Sequence, residues 1–130
     1  MNSEQNYINI NSLFFDSYAL FEILKGNPNY KKYSELKIVL TKLNLFELYS
    51  GLLREVGEEK AEVELNRYYK FAIDFDEEVI KGAGKMKIAL NRRNVSMTDC
   101  IGYILSKQLG IKFLTGDKEF EFLRNVEFVK

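Results

Sequence analysis

The sequence has no histidine among its 130 residues. That removes imidazole acid–base catalysis, Ser-His-Asp and Cys-His nucleophiles, and zinc sites that use His. Cys100 is the one cysteine. Neither an internal disulfide nor a thiolate cluster can form, which fits a reducing compartment. No apolar run approaches the ~18 residues of a membrane span, and the start lacks a basic stretch followed by an apolar one. The expectation is a cytoplasmic protein with no membrane partner. Net charge is missing too: 19 basic and 19 acidic side chains balance to zero. That argues against an indiscriminate nucleic-acid coat and leaves room for a local basic rim.

Hydrophobic residues make up 46% of the chain and aromatics 14%, enough for one substantial core. The expected organisation is a single domain over residues 1–130, with residues 1–11 a loose lead-in. Short apolar or β-branched runs at 12–15, 36–41, 71–75, 111–115 and 126–129 read as strands. Helical spacing covers 18–25, 42–56, 58–69, 76–91 and 98–109, with stops at Gly26-Asn27-Pro28, Gly57 and Gly110. Strands alternating with helices predict an α/β fold, a three-layer α/β/α arrangement around a mainly parallel sheet of about five strands.

Carboxylates stand out at the ends of the apolar runs. Asp16 closes Leu13-Phe14-Phe15, Asp117 follows Phe113-Leu114-Thr115-Gly116, and Asp99 sits in Ser96-Met97-Thr98-Asp99. Ligands gather at the carboxyl ends of parallel strands, which would aim Asp16 and Asp117 into one crevice. The plainer alternative is that each begins a turn. Asp99 has its own competitor, since Ser96-x-x-Asp99 is a capping-box pattern. Gly102 and Ser106 share its helix face, and a helix-interior glycine there suggests room left beside the acid. Glu47 lies with Asn44, Gly51 and Arg54 on a narrow polar stripe of an otherwise apolar helix, facing either solvent or a cleft. Carboxylates brought together repel strongly unless a cation lies between them. With no imidazole or thiolate set to hand, the donors are oxygens, which favours Mg²⁺ or Mn²⁺.

Asp16-Ser17 after a first strand, Glu47 on an early helix, Thr98-Asp99 opening a late helix, and Phe113-Leu114-Thr115-Gly116-Asp117-Lys118-Glu119-Phe120 before the last strand resemble the PIN-domain ribonucleases. Among them the chain is most similar to the small VapC-type toxins of toxin–antitoxin pairs. The closing segment is the most specific, matching the family order of apolar strand, Thr, any residue, Asp, two residues, Phe. The resemblance implies that Asp16, Asp99 and Asp117 hold one or two divalent metals, that Glu47 completes the acidic set, and that Thr115 and Ser17 orient it. Glu119 stands where the family often has Asp or Asn, and is a candidate supporting residue. The implied activity is metal-dependent hydrolysis of RNA phosphodiesters. The implied partners are RNA, a second copy of the chain in a homodimer, and a cognate antitoxin.

Lys31, Lys32, Lys85, Lys87, Arg92 and Arg93 are candidates for a basic rim; Tyr30, Tyr33, Tyr68 and Tyr69 could stack bases but suit a core or interface better. Other readings are an RNA-processing PIN nuclease that is not a toxin, a receiver-like or flavodoxin-like binding module, and a catalytically silent interaction domain. A receiver would pair acids after the first strand, whereas Asp16 is flanked by Phe15 and Ser17. No Gly-rich phosphate loop is present.

Overall fold

The computed structural model describes residues 11–91 and 93–130. Most of the expected lead-in, residues 1–10, and the rim candidate Arg92 lie outside the described residues. Four strands form one sheet: β1 (Ser12–Phe15), β2 (Lys37–Val39), β3 (Lys112–Thr115) and β4 (Val126–Phe128). All neighbours are parallel, in the order β2-β1-β3-β4. Around the sheet run α1 (Ser17–Lys25), α2 (Lys42–Glu55), α3 (Glu58–Tyr69), α4 (Glu77–Ala89) and α5 (Met97–Leu109), with 3₁₀ turns at Pro28–Glu35 and Lys118–Phe120.

The pleat explains the layers. Successive side chains of a strand point to opposite faces, so Phe14 and Phe15 serve different cores, as do Phe113 and Leu114. Phe14, Val39 and Phe113 pack with α4 and α5; Phe15, Leu40 and Leu114 pack with α1, α2 and α3. Each fully buried ring or leucine contributes about 2 kcal/mol. The three-layer α/β/α expectation therefore holds.

The expected strand at 71–75 is reduced to one bridge, Leu40 with Ala72. The Leu40 N–H donates to the Phe71 carbonyl at 3.4 Å, and the Leu40 carbonyl accepts from the Ile73 N–H at 2.9 Å. Beyond that point Asp76 caps α4, accepting from Val79 N–H at 3.0 Å, and the chain leaves the sheet edge before a ladder can extend. Apolar, β-branched content alone could not foresee so early a departure.

The β1–β3 pairing fixes the centre of the sheet. Phe14 and Phe113 are register partners, and their rings stack with centroids 5.7 Å apart. Strand order reverses between β1 and β3, since β1 leads by crossover to β2 on one side while β3 leads to β4 on the other. That switch point opens a crevice at the strand ends. Gly102 bears on this ring stack rather than leaving room beside Asp99. A Cβ there would lie 2.6 Å from the Phe14 ring and 3.2 Å from Phe113, so the glycine lets α5 settle onto the sheet. Ser106, its expected companion, is buried and donates to the Tyr103 carbonyl at 2.6 Å. Gly51 plays the same part between α2 and α1, where a Cβ would run into the Phe21 ring.

Helix propensity alone favours alanine over glycine by up to ~1 kcal/mol. Gly102→Ala is nevertheless expected to destabilise the protein by about 1–3 kcal/mol, because the added methyl overpacks the Phe14–Phe113 stack. Urea unfolding of the variant gives the sign directly.

Candidate functional site

Asp16 leaves β1 at its carboxyl end and caps α1. Its carboxylate accepts from Ala19 N–H at 2.7 Å, and its own N–H donates to the Leu114 carbonyl at 3.2 Å. The side chain is 2% exposed. Capping is thus real, as the turn-forming alternative foresaw, but it does not account for the burial. A cap at a surface loop costs nothing in solvation, whereas this carboxylate is taken out of water.

Thr115 ends β3 and is fully buried. Its hydroxyl accepts from Asp117 N–H at 3.0 Å and hydrogen-bonds the Asp16 carboxylate. Asp117 in turn accepts from Glu119 N–H at 3.0 Å, opening the 3₁₀ turn. The contribution of Glu119 here is its backbone: the N–H to Asp117, and a carbonyl that takes a 3.1 Å bond from Arg93. Asp99 occupies the first turn of α5, where its N–H donates to the Ser96 hydroxyl at 3.1 Å, so the expected capping box forms.

On the other side of the crevice Ser17 opens α1 and donates to Glu47 on α2 at 2.5 Å. Asn44, one turn before Glu47, donates to the Ser17 oxygen at 3.3 Å and is 1% exposed. Of the polar stripe on α2, then, Asn44 and Glu47 turn toward Ser17. Gly51 packs on Phe21, and Arg54 is exposed at the groove between α1 and α2. The sequence placed Asn44 on that stripe without giving it a role; the signal that could have found one is Thr41-x-x-Asn44, a helix-start pattern reaching inward.

Electrostatics ties these acids together. Burial pushes the Asp16 carboxyl well above the usual carboxylate range, opposed by the hydrogen bonds from Thr115 and Ala19 and reinforced by the charges of Asp99 and Asp117. Burial likewise raises Asp99, to about 6, with hydrogen bonds from Ser96 opposing and with Glu47 and Asp117 adding to the rise. Asp16 therefore stands in the fields of Asp99 and Asp117, and Asp99 in those of Glu47 and Asp117. Among the described residues, no lysine or arginine is a leading influence on Asp16 or Asp99. Nor, among the described residues, are three acidic side chains gathered closely enough to form a ready ligand set as they stand. The cluster is an uncompensated patch of carboxylate oxygens, a donor chemistry suited to a hard divalent cation.

The rim candidates separate. Lys87 is tied to the Val95 carbonyl and Arg93 to that of Glu119, which places Arg93 beside the Asp117 turn. Lys31 and Lys32 are exposed on the Pro28–Glu35 turn and line a cavity of about 750 Å³ with Tyr33 and Val129. Lys85 is exposed on α4. Tyr30, Tyr33 and Tyr68 are buried in the core, and Tyr69 is exposed. Core packing wins for three of the four tyrosines. Among the described residues, no helix is long and apolar enough to cross a membrane.

A family model described as PIN domain matches residues 13–125. No curated protein matches the chain significantly by sequence. Among solved structures, a chain of the DNA-bound VapBC complex from Salmonella typhimurium superposes with a TM-score of 0.70 at 16% identity, covering 92% of this chain and 97% of that one. A chain of VapBC2 from Rickettsia felis, bound to a DNA fragment from their promoter, gives 0.69 at 18% identity, with coverage of 91% and 97%. A chain of a toxin–antitoxin complex from Klebsiella pneumoniae gives 0.68 at 15%, with 88% and 95% covered. At such identities the likeness concerns the fold.

Raised carboxyl pKa values carry a sign for stability. A native acid that holds its proton more tightly than the unfolded chain makes stability fall as pH rises through the interval between the two values. For Asp99 that interval runs from 3.8 to about 6. Metal-free protein is therefore expected to lose thermal stability from pH 4 to pH 7. Asp99→Asn, which keeps an acceptor oxygen for Ser96, is expected to raise Tm by several degrees at pH 7.5 and by much less at pH 4.5. Thermal melts of both proteins in EDTA at the two pH values check this.

Proposed function

The chain belongs to the PIN-domain family, and on that footing we propose that it is a divalent-metal-dependent endoribonuclease, the toxin of a toxin–antitoxin pair acting in the cytoplasm. The observation that carries the reading is the desolvated Asp16 carboxylate, coupled to Asp99 and Asp117 at the ends of β1 and β3, with no leading influence from a lysine or arginine among the described residues. A desolvated carboxylate set in the field of other acids costs stability, and such perturbed groups gather at functional sites.

Asp16, Asp99 and Asp117 would hold Mg²⁺ or Mn²⁺, with Glu47 joining directly or through water. What the cation supplies when bound is Lewis acidity: it lowers the pKa of a water and offsets charge on a phosphate. The protein's own residues arrange the rest. Thr115 bonds both the Asp16 carboxylate and the Asp117 N–H, so one hydroxyl keeps two acids in register. Ser17 holds Glu47 by its hydroxyl. The N–H of Glu119 secures Asp117. Arg93, bonded to the Glu119 carbonyl, offers a cation at the rim where an incoming RNA phosphate needs one. No histidine is required at any point.

The toxin reading and its partners draw on the structural neighbours, which come from toxin–antitoxin complexes. A cognate antitoxin covering the acidic crevice and a homodimer of the chain are the assemblies proposed. Purified protein is expected to cleave RNA with Mn²⁺ and to lose that activity in EDTA. Asp16→Asn, which keeps an acceptor for Ala19 and hence the cap, is expected to reduce cleavage by at least about 100-fold without loss of fold. Expression of the natural chain, and not of Asp16→Asn, is expected to arrest growth. Near-normal cleavage by Asp16→Asn overturns the assignment.

A further inference from the structure

Asn44 holds a position that its burial makes expensive to fill with a polar side chain, and all three of its hydrogen bonds run in a fixed direction. Its Oδ1 accepts from the Thr41 N–H at 3.0 Å and from the Thr41 hydroxyl at 2.9 Å. A backbone N–H can only donate, so the amide cannot be turned round. Its Nδ2 therefore faces Ser17, donating to that oxygen at 3.3 Å. With an N–H group pointed at its oxygen, the Ser17 hydroxyl must send its single proton elsewhere, and Glu47 Oε1 lies 2.5 Å away. A carboxylate only accepts, so the sequence Thr41, Asn44, Ser17, Glu47 is polarised from end to end.

We propose that Asn44 is a positioning residue of the acidic centre: by fixing which way the Ser17 proton points, it holds the Glu47 carboxylate toward Asp99, Asp16 and Asp117. The inference rests on the metal-dependent nuclease reading for its functional meaning, but the polarity of the hydrogen-bond chain is a property of the metal-free protein. Asn44 touches no substrate and acts through Ser17. Its anchor, Thr41, is itself fully buried at the start of α2, so the device ties the beginning of one helix to the beginning of another across the crevice.

Two measurements test it. The first is crystallographic and needs no metal. Asn44→Asp keeps an acceptor for Thr41, and hence the helix cap, but presents only acceptors to Ser17. The Ser17 proton is expected to turn to the new carboxylate, and the Ser17–Glu47 bond to open beyond hydrogen-bonding distance. An unchanged Ser17–Glu47 contact overturns the proposal. The second is Mn²⁺ binding by calorimetry for the natural chain, Ser17→Ala, Asn44→Ala and the double variant. Each single change is expected to raise Kd about tenfold, and the double change to add nothing, because the two residues work in series. An unchanged Kd in Asn44→Ala, even with a lowered Tm, marks a purely structural residue and overturns the proposal, as does a fully additive double variant. If the natural chain binds no Mn²⁺, the nuclease reading fails, and the crystallographic arm alone decides the role of Asn44.

Discussion

A carboxylate removed from water at the junction of β1, β3 and α1 is the constraint around which this molecule is arranged. Asp16 cannot be relieved by moving, because its backbone is bonded to Leu114 and its side chain caps α1. The strands that hold it are themselves fixed by the Phe14–Phe113 stack beneath. The neighbours deepen the strain. Asp99 and Asp117 both raise the cost of ionising Asp16, and hydrogen bonds from Thr115 and Ala19 offset only part of it. A folded chain carrying this tension holds a preformed demand for positive charge.

The two cores divide the labour of building that demand. The face packed by α4 and α5 brings the start of α5, and so Asp99, over the ends of β1 and β3. The face packed by α1, α2 and α3 brings Glu47 up from the other side. Each face thus delivers one acid to a crevice whose floor is supplied by the sheet, through Asp16 and Thr115. Close approach is what makes the delivery accurate: Gly102 on one face and Gly51 on the other let a helix sit directly against aromatic rings.

Much of this was legible in the sequence, for identifiable reasons. Strand ends followed by Asp at 16 and 117 are readable because apolar runs of this length have few alternatives, and alternation with helices dictates a parallel sheet. The four acids could be gathered on paper because chain order and spacing match a known family. The failures are equally physical. The segment at 71–75 has strand-like residues, yet whether it pairs depends on where α4 begins, a long-range matter. Gly102 was misread because a missing Cβ records that something is close without recording what, and here it is the Phe14 ring, 88 residues away in sequence (102 minus 14). Asn44 escaped because its importance lies in the direction of a hydrogen bond to Ser17, and composition carries no directions. The core preference read for Tyr30, Tyr33 and Tyr68 held, since all three are buried.

The double duty of Asp16, helix cap and desolvated anion at once, has an evolutionary edge. Aspartate and asparagine codons differ by a single transition, and the amide retains the oxygen that Ala19 needs while shedding the charge that burial penalises. On the nuclease reading proposed above, loss of activity is therefore one nucleotide away, and the change removes a buried charge rather than adding a defect. If that reading holds, a population drawing no benefit from the activity should accumulate quiet, well-folded descendants rather than broken ones.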